Sequence, residues 1–119
     1  MPNSYNVRLF FSIYFFIGPV TLLRMQTYHS DEWQKWMLAA LKGDQQAYRL
    51  LLTYVRSWLI AYFRKRIQGS SVEDLVQETL LTLHNKRQTF DPDLSFFPWI
   101  IAIAKHRWID HLRKTLKYV

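Results

Sequence analysis

Three breaks divide the chain after residue 30, at Gly43-Asp44, Gly69-Ser70 and Asp91-Pro92-Asp93, and the pieces between them are helix-sized. Gly and Pro interrupt regular structure, and Asp beside Pro is turn chemistry because Pro pushes the residue before it out of the helical region. Within each piece the apolar residues recur at three- and four-residue spacing, the period of a helix with one buried face. No alternating pattern of useful length, the mark of a half-buried strand, occurs in residues 25–119. Ser30 is the expected N-cap of a first helix, with Asp31 and Glu32 where the helix dipole favours acids, Trp33, Trp36, Met37, Ala40 and Leu41 as its apolar face, and Gly43 as its stop. Asp44 is expected to cap a second helix running to about Ile67, with Ala47, Leu51, Tyr54, Val55, Trp58, Leu59, Tyr62 and Phe63 as the stripe. Ser70 and Glu73 have capping-box spacing at the head of a third helix, whose inner face holds Leu75, Val76, Thr79, Leu80 and Leu83. After a loop over 87–95, Ser95 is expected to cap a fourth helix with Pro98 in its first turn, where a missing N–H costs little. The fold class is all-α: a compact bundle of three or four helices.

An apolar segment precedes this bundle. Leu9–Leu23 is a run of 15 mostly Leu, Ile and Phe residues broken by Gly18-Pro19. A spanning helix needs about 20 apolar residues, and Pro kinks one. Arg8 before an apolar core resembles a signal peptide, yet no small-x-small cleavage site follows. A membrane-associating tail, a packing segment, or upstream sequence translated from a start placed too early all fit. The last is favoured, because composition changes abruptly to that of a soluble helical protein at Met25. Residues 1–24 are therefore read as an extension and 25–119 as the domain.

Length and composition narrow the function. At 119 residues the chain suits one domain, and half its residues are hydrophobic, which excludes low-hydrophobicity disorder. With no Cys there is no disulfide, cysteine zinc site or thiolate nucleophile, and the expected compartment is the cytoplasm. His29, His84, His106 and His111 form no metal-ligand spacing, and no Walker loop, Gly-x-Gly-x-x-Gly or Gly-x-Ser-x-Gly occurs. The sequence therefore speaks against an enzyme and calls for no cofactor and no metal. The net charge of +7 favours a polyanionic partner, nucleic acid or an acidic membrane surface.

The charge is segregated. Glu73, Asp74 and Glu78 cluster with no basic residue between them, whereas Lys105 to Lys117 holds five basic residues and one acid. Two surfaces for two partners are expected. On its own the acidic stretch is a solvated, dipole-favoured first turn. The loop and last helix place Phe90, Phe96, Phe97 and Trp99 beside Lys and Arg, a composition that suits nucleic acid, though Trp99 is expected in the core. Asp110 and apolar residues on two sides of the helix weigh against a membrane.

In order, Gly43-Asp-Gln-Gln-Ala-Tyr48, Glu73-Asp-Leu-Val-Gln-Glu-Thr-Leu80, Phe90-Asp-Pro92 and Trp99-Ile-Ile-Ala-Ile-Ala-Lys-His-Arg-Trp-Ile-Asp-His-Leu-Arg113 resemble the extracytoplasmic-function (ECF) class of bacterial sigma factors. The resemblance covers roughly residues 36–115 and corresponds to that family's second region, the sigma-two domain. It implies that the helix carrying Glu73, Asp74, Leu75, Gln77 and Glu78 docks on the clamp helices of the large subunit of core RNA polymerase. It implies that the loop over 89–95, with Phe90, Asp91, Asp93, Leu94 and Ser95, captures a base flipped from the non-template strand of the minus-ten promoter element. Lys105 and His106, with Ala102 and Ile109 on the same side, are expected to face DNA. Arg113 and Lys114 are expected at phosphates, and Lys86 and Arg87 along the single-strand path. An anti-sigma protein is a further partner of the class. Many members have Asn where this chain has His106 and a small residue where it has Trp108, so promoter preference does not transfer. The family's region 4 domain, which reads the minus-thirty-five element, is not expected within these 119 residues. The chain is read accordingly as a fragment, a truncated product or a solitary promoter-melting module.

Overall fold

A computed structural model describes residues 31–117, and every regular element among them is helical. Helix α1 covers 31–41, α2 Gln45–Arg64, α3 Ser71–Lys86 and α4 Phe96–Lys117, with a single 3-10 turn, Arg87–Thr89, between the last two. The apolar run Leu9–Leu23, the change at Met25 and the expected cap Ser30 lie outside the described residues.

The first break is a tight helix-to-helix joint. The Asp44 N–H reaches back to the Ala39 carbonyl (3.1 Å) and the Gly43 N–H to that of Ala40 (3.0 Å), the paired bonds that close a helix through a left-handed residue. Gly43 supplies that conformation at φ +103°, which a side chain would strain. Asp44 then starts α2, its Oδ1 accepting from the Ala47 N–H at 3.0 Å. The joint folds α2 back along α1, so Trp33 meets Trp58 edge-on at 6.4 Å and Trp36 lies 5.2 Å from Tyr54.

α2 buries Ala47, Leu51, Val55, Leu59, Tyr62 and Phe63, nearly the expected stripe. Tyr54 and Trp58 are the exceptions: Tyr54 is 54% exposed, its ring leaning on Trp36 at the rim, and Trp58 is half-buried against the core. The helix also stops at Arg64 and not near Ile67: Arg66 and Ile67 N–H both turn back to the Phe63 carbonyl, and Gly69 (φ +79°) completes the reversal. α3 packs on both α2 and α4. It buries Leu75, Val76, Thr79 and Leu83, and the Thr79 hydroxyl donates to the Leu75 carbonyl (2.7 Å), so no polar group is stranded there.

The core is aromatic where α4 begins. Phe97 lies edge-on to Trp33 (5.4 Å) and Trp58 (5.3 Å), and Phe96, Trp99 and Phe90 contact one another at 5.2–5.8 Å. Phe96 to Ala104 are all buried, so this half of α4 is enclosed on every side; none of 105–117 is. A helix apolar all round has to be internal. Each fully buried Phe or Ile contributes about 1.5–3 kcal/mol over an exposed one, so this segment is the domain's main source of cohesion.

Candidate functional site

The acidic edge is the exposed side of the first two turns of α3. Glu73, Asp74, Gln77 and Glu78 are exposed, while Leu75 and Val76 between them point into the core. Leu75, expected among the docking residues, is 4% exposed and belongs to the core: it falls on the stripe with Thr79 and Leu83, at the edge of the cleft that Asp74 and Glu78 also line. The capping box is absent too. Ser70 is already helical (φ −72°, ψ −13°) and makes no side-chain cap, so its hydroxyl does not reach the third N–H. Glu73 turns outward instead, to Arg56 on α2 at 2.8 Å, and accepts from Gln77 at 3.4 Å. The Arg56 hydrogen bond holds the Glu73 carboxyl below the usual carboxylate range, slight desolvation pushing the other way. Asp74 and Glu78 face a cleft whose other wall is the far half of α4, including Arg107, Asp110, His111 and Lys114.

At the other end of α3 the chain enters the loop. Lys86 and Arg87 are half-buried, and Arg87 donates to the His84 carbonyl at 2.6 Å. His84 also pairs through Nδ1 with the Tyr48 hydroxyl of α2 at 2.8 Å. Burial raises the Tyr48 pKa, opposed by the charge of Arg87. Phe90 follows in an extended conformation that turns its ring inward, 5.8 Å from Phe96 and 5.2 Å from Trp99. Its expected place at a captured base is therefore corrected: at 4% exposure it anchors the loop. Phe96 and Phe97 are likewise core and offer no stacking face. Asp91 Oδ1 accepts from the Asp93 N–H (2.9 Å) and the Asp91 carbonyl from the Leu94 N–H (3.0 Å), which makes a closed turn. Asp93 and Ser95 stay exposed, and Asp91 and Leu94 half-buried.

On α4 the expected DNA-facing set divides. His106 and Arg113 are exposed, and Lys105 and Ile109 half-buried. Ala102 is aligned with them along the helix but fully buried, because the enclosed half of α4 has no free side; it is corrected to a packing position. Lys114 is exposed but lies on the cleft opposite Asp74 and Glu78, away from the Lys105 side. Burial lowers the pKa of Lys105. Burial also lowers that of His106, with Asp110 opposing and Lys105, Arg107 and Arg113 adding to the shift, so His106 favours the neutral form at pH 7. Arg66, at the end of α2, lies over the Tyr62 ring (3.6 Å), bonds the Tyr62 carbonyl (2.9 Å) and comes within 5.8 Å of the Trp108 ring. Three positioning groups thus escaped the sequence: Tyr48, Arg56 and Arg66. Tyr48 and Arg56 act on residues 36 and 17 positions away, which no local spacing signals, whereas Arg66 stacks on Tyr62 four positions earlier and reaches Trp108 only through the fold.

Among the described residues no His and acidic side chains gather as a metal site, and no helix is long and apolar enough to cross a membrane. An all-α domain with an acidic helix edge, an anchored turn and a half-exposed basic helix has the features of a helical binding module. The chain belongs to the sigma-70 region 2 family, whose model matches residues 45–117. It is similar to the ECF RNA polymerase sigma factor SigF of Caulobacter vibrioides, 49% identical over 80 residues, 66% of this chain and 45% of that protein. A probable RNA polymerase sigma factor of Haemophilus influenzae is 32% identical over 71 residues, 59% of this chain and 37% of that one. The ECF RNA polymerase sigma-E factor of Escherichia coli is 29% identical over 63 residues, covering 53% of this chain and 33% of that one. The chain thus spans less than half the length of these curated relatives. No solved structure matches it.

Proposed function

We propose that this chain is the polymerase-docking and promoter-opening domain of an ECF sigma factor, working in the cytoplasm by binding and not by catalysis. The exposed acids Glu73, Asp74 and Glu78, with Gln77, dock on basic groups of the large-subunit clamp helices of core RNA polymerase. The loop at Asp91, Asp93, Leu94 and Ser95 takes up a base flipped from the non-template strand of the minus-ten element. Lys105, His106, Ile109 and Arg113 meet the strand as it opens; Lys86 and Arg87 flank its path, and Lys114 reaches phosphate from the cleft side. Unstacking a base costs a few kcal/mol, offset by contacts to the extruded base and the backbone, so no covalent step is needed.

The observation that carries this reading is the arrangement of surfaces. One aromatic core holds an exposed acidic edge on α3, which faces Arg107 and Lys114 across a cleft, and an exposed loop leading through a buried helix into five basic residues. The test is to assemble the chain with core polymerase and follow the opening of a fluorescent minus-ten fragment. Opening that depends on the chain supports the proposal. Polymerase binding without opening overturns it, in favour of a module that occupies polymerase or an anti-sigma protein without initiating.

A further inference from the structure

The loop proposed to capture a base is held at its far end by a side chain from the other end of the domain. Gln34, half-buried on α1, donates through Nε2 to the Leu94 carbonyl (3.1 Å) and accepts through Oε1 from the Phe96 N–H (2.7 Å). The orientation of the carboxamide is fixed by chemistry: a carbonyl can only accept and an N–H can only donate, so nitrogen must face Leu94 and oxygen Phe96. The two bonds straddle Ser95, the exposed residue between them. Trp33, one residue before Gln34, lies 6.3 Å from Phe96 and 5.4 Å from Phe97, so the same turn of α1 packs the head of α4 and grips its backbone. At the loop's near end Phe90 is sunk in the core. The segment 91–95 is thus strung between two anchors, one apolar and one polar, with its middle turned to solvent.

We propose that Gln34 is a positioning residue for base capture: by holding Leu94 and Phe96 together it fixes the backbone at Ser95 in the geometry that receives an unstacked base. This rests on the proposed promoter reading. A loop ordered before binding pays no further ordering entropy when the base arrives, so the clamp acts on affinity for the captured base and leaves phosphate contacts elsewhere unaffected.

Gln34→Glu separates the two bonds. Its carboxylate still accepts from the Phe96 N–H, at a helix start where negative charge is favoured, but it cannot donate to the Leu94 carbonyl and sets oxygen against oxygen there. The experiment uses the full chain bound to core polymerase, with fluorescence anisotropy of a single-stranded minus-ten non-template oligonucleotide and of a scrambled one. Wild type is expected to prefer the minus-ten strand; if it binds neither, or both alike, the promoter reading itself fails. Given that preference, Gln34→Glu should weaken the minus-ten strand about tenfold, while the scrambled strand and polymerase affinity stay as in wild type and the melting temperature falls by only a few degrees, the scale of one half-buried carbonyl left without its donor. Equal affinity to wild type, or equal loss on both strands, would overturn the proposal. Should Gln34→Glu fail to fold, amide exchange of the wild type decides: binding the minus-ten strand should slow exchange of the Phe96 N–H, because coupling between clamp and capture is reciprocal. Unchanged exchange would overturn the assignment equally.

Discussion

α4 is one continuous helix made of two unlike halves. Phe96–Ala104 has no exposed residue and touches aromatic rings from α1, α2 and the loop. Lys105–Lys117 has no buried residue and gathers basic side chains. The first half is core, while the second keeps its side chains half-buried or exposed. Because they share one hydrogen-bonded rod, the rigidity of the first is passed directly to the second. A surface proposed to hold a melting duplex in register gains more from such a mounting than from a loop.

Breaking the buried half should have the largest effect. Phe97→Ala removes a ring wedged between Trp33 and Trp58 and is expected to cost about 3–5 kcal/mol in urea unfolding, enough to threaten the fold. Ala102→Leu, which adds bulk where none fits, should cost about 1–3 kcal/mol by the same measurement. If it left stability intact and changed only DNA binding, Ala102 would belong with the exposed half after all.

The exposed surfaces should give the opposite signature. Asp74→Lys with Glu78→Lys is expected to lower affinity for core polymerase about tenfold or more at moderate salt, with the melting temperature lowered by a few degrees through repulsion from Arg107 and Lys114 across the cleft. Lys105→Ala should stay within about 0.5 kcal/mol of wild-type stability, yet weaken promoter-fragment binding and reduce its salt slope by about one phosphate contact. Loss of polymerase binding in that variant would show that the two surfaces are not separate.

The smallest effect concerns His106. Its pKa in the fold lies below the ordinary histidine value, chiefly through burial, so the folded state takes up its proton less readily than the unfolded chain. The stability it contributes is present above pH 6.5 and is lost as the pH falls through that value toward the lowered folded pKa. His106→Gln should therefore flatten the decline in melting temperature between pH 7.5 and 5.5. A steeper decline would reverse the sign of the shift.

Much of this division was legible in the residues. Helical period, the Gly43 and Gly69 stops, the Asp44 cap and the two charged stretches are local properties, and local properties are what a sequence displays. Motif resemblance led to the right family. What the spacing left open was exposure. The helical period already placed Leu75 on the inner face of α3, whereas Phe90, at the edge of a turn, and Ala102, in line with Lys105 and His106, are shown to turn inward only by the packing of distant elements. The Ser70 cap failed for a related reason: the serine is drawn into the helix, while Glu73 finds Arg56, 17 positions earlier, within 2.8 Å. Gln34 lay beyond reach, since its partners are 60 and 62 positions away.

That separation has a consequence for how the domain assembles. The α1–α2 joint closes over neighbouring residues, Asp44 bonding Ala39 on one side and Ala47 on the other, so its chain-closure cost is small. The grip of Gln34 on Leu94 and Phe96 spans most of the described chain and is expected to form only after both hairpins have met, late in folding and among the first contacts to open. The loop proposed to seize a base would then be the last part of the molecule to acquire its shape. Refolding followed by pulsed amide exchange should show protection at Ala47 well before protection at Phe96; simultaneous protection would mean that the domain folds as a single step.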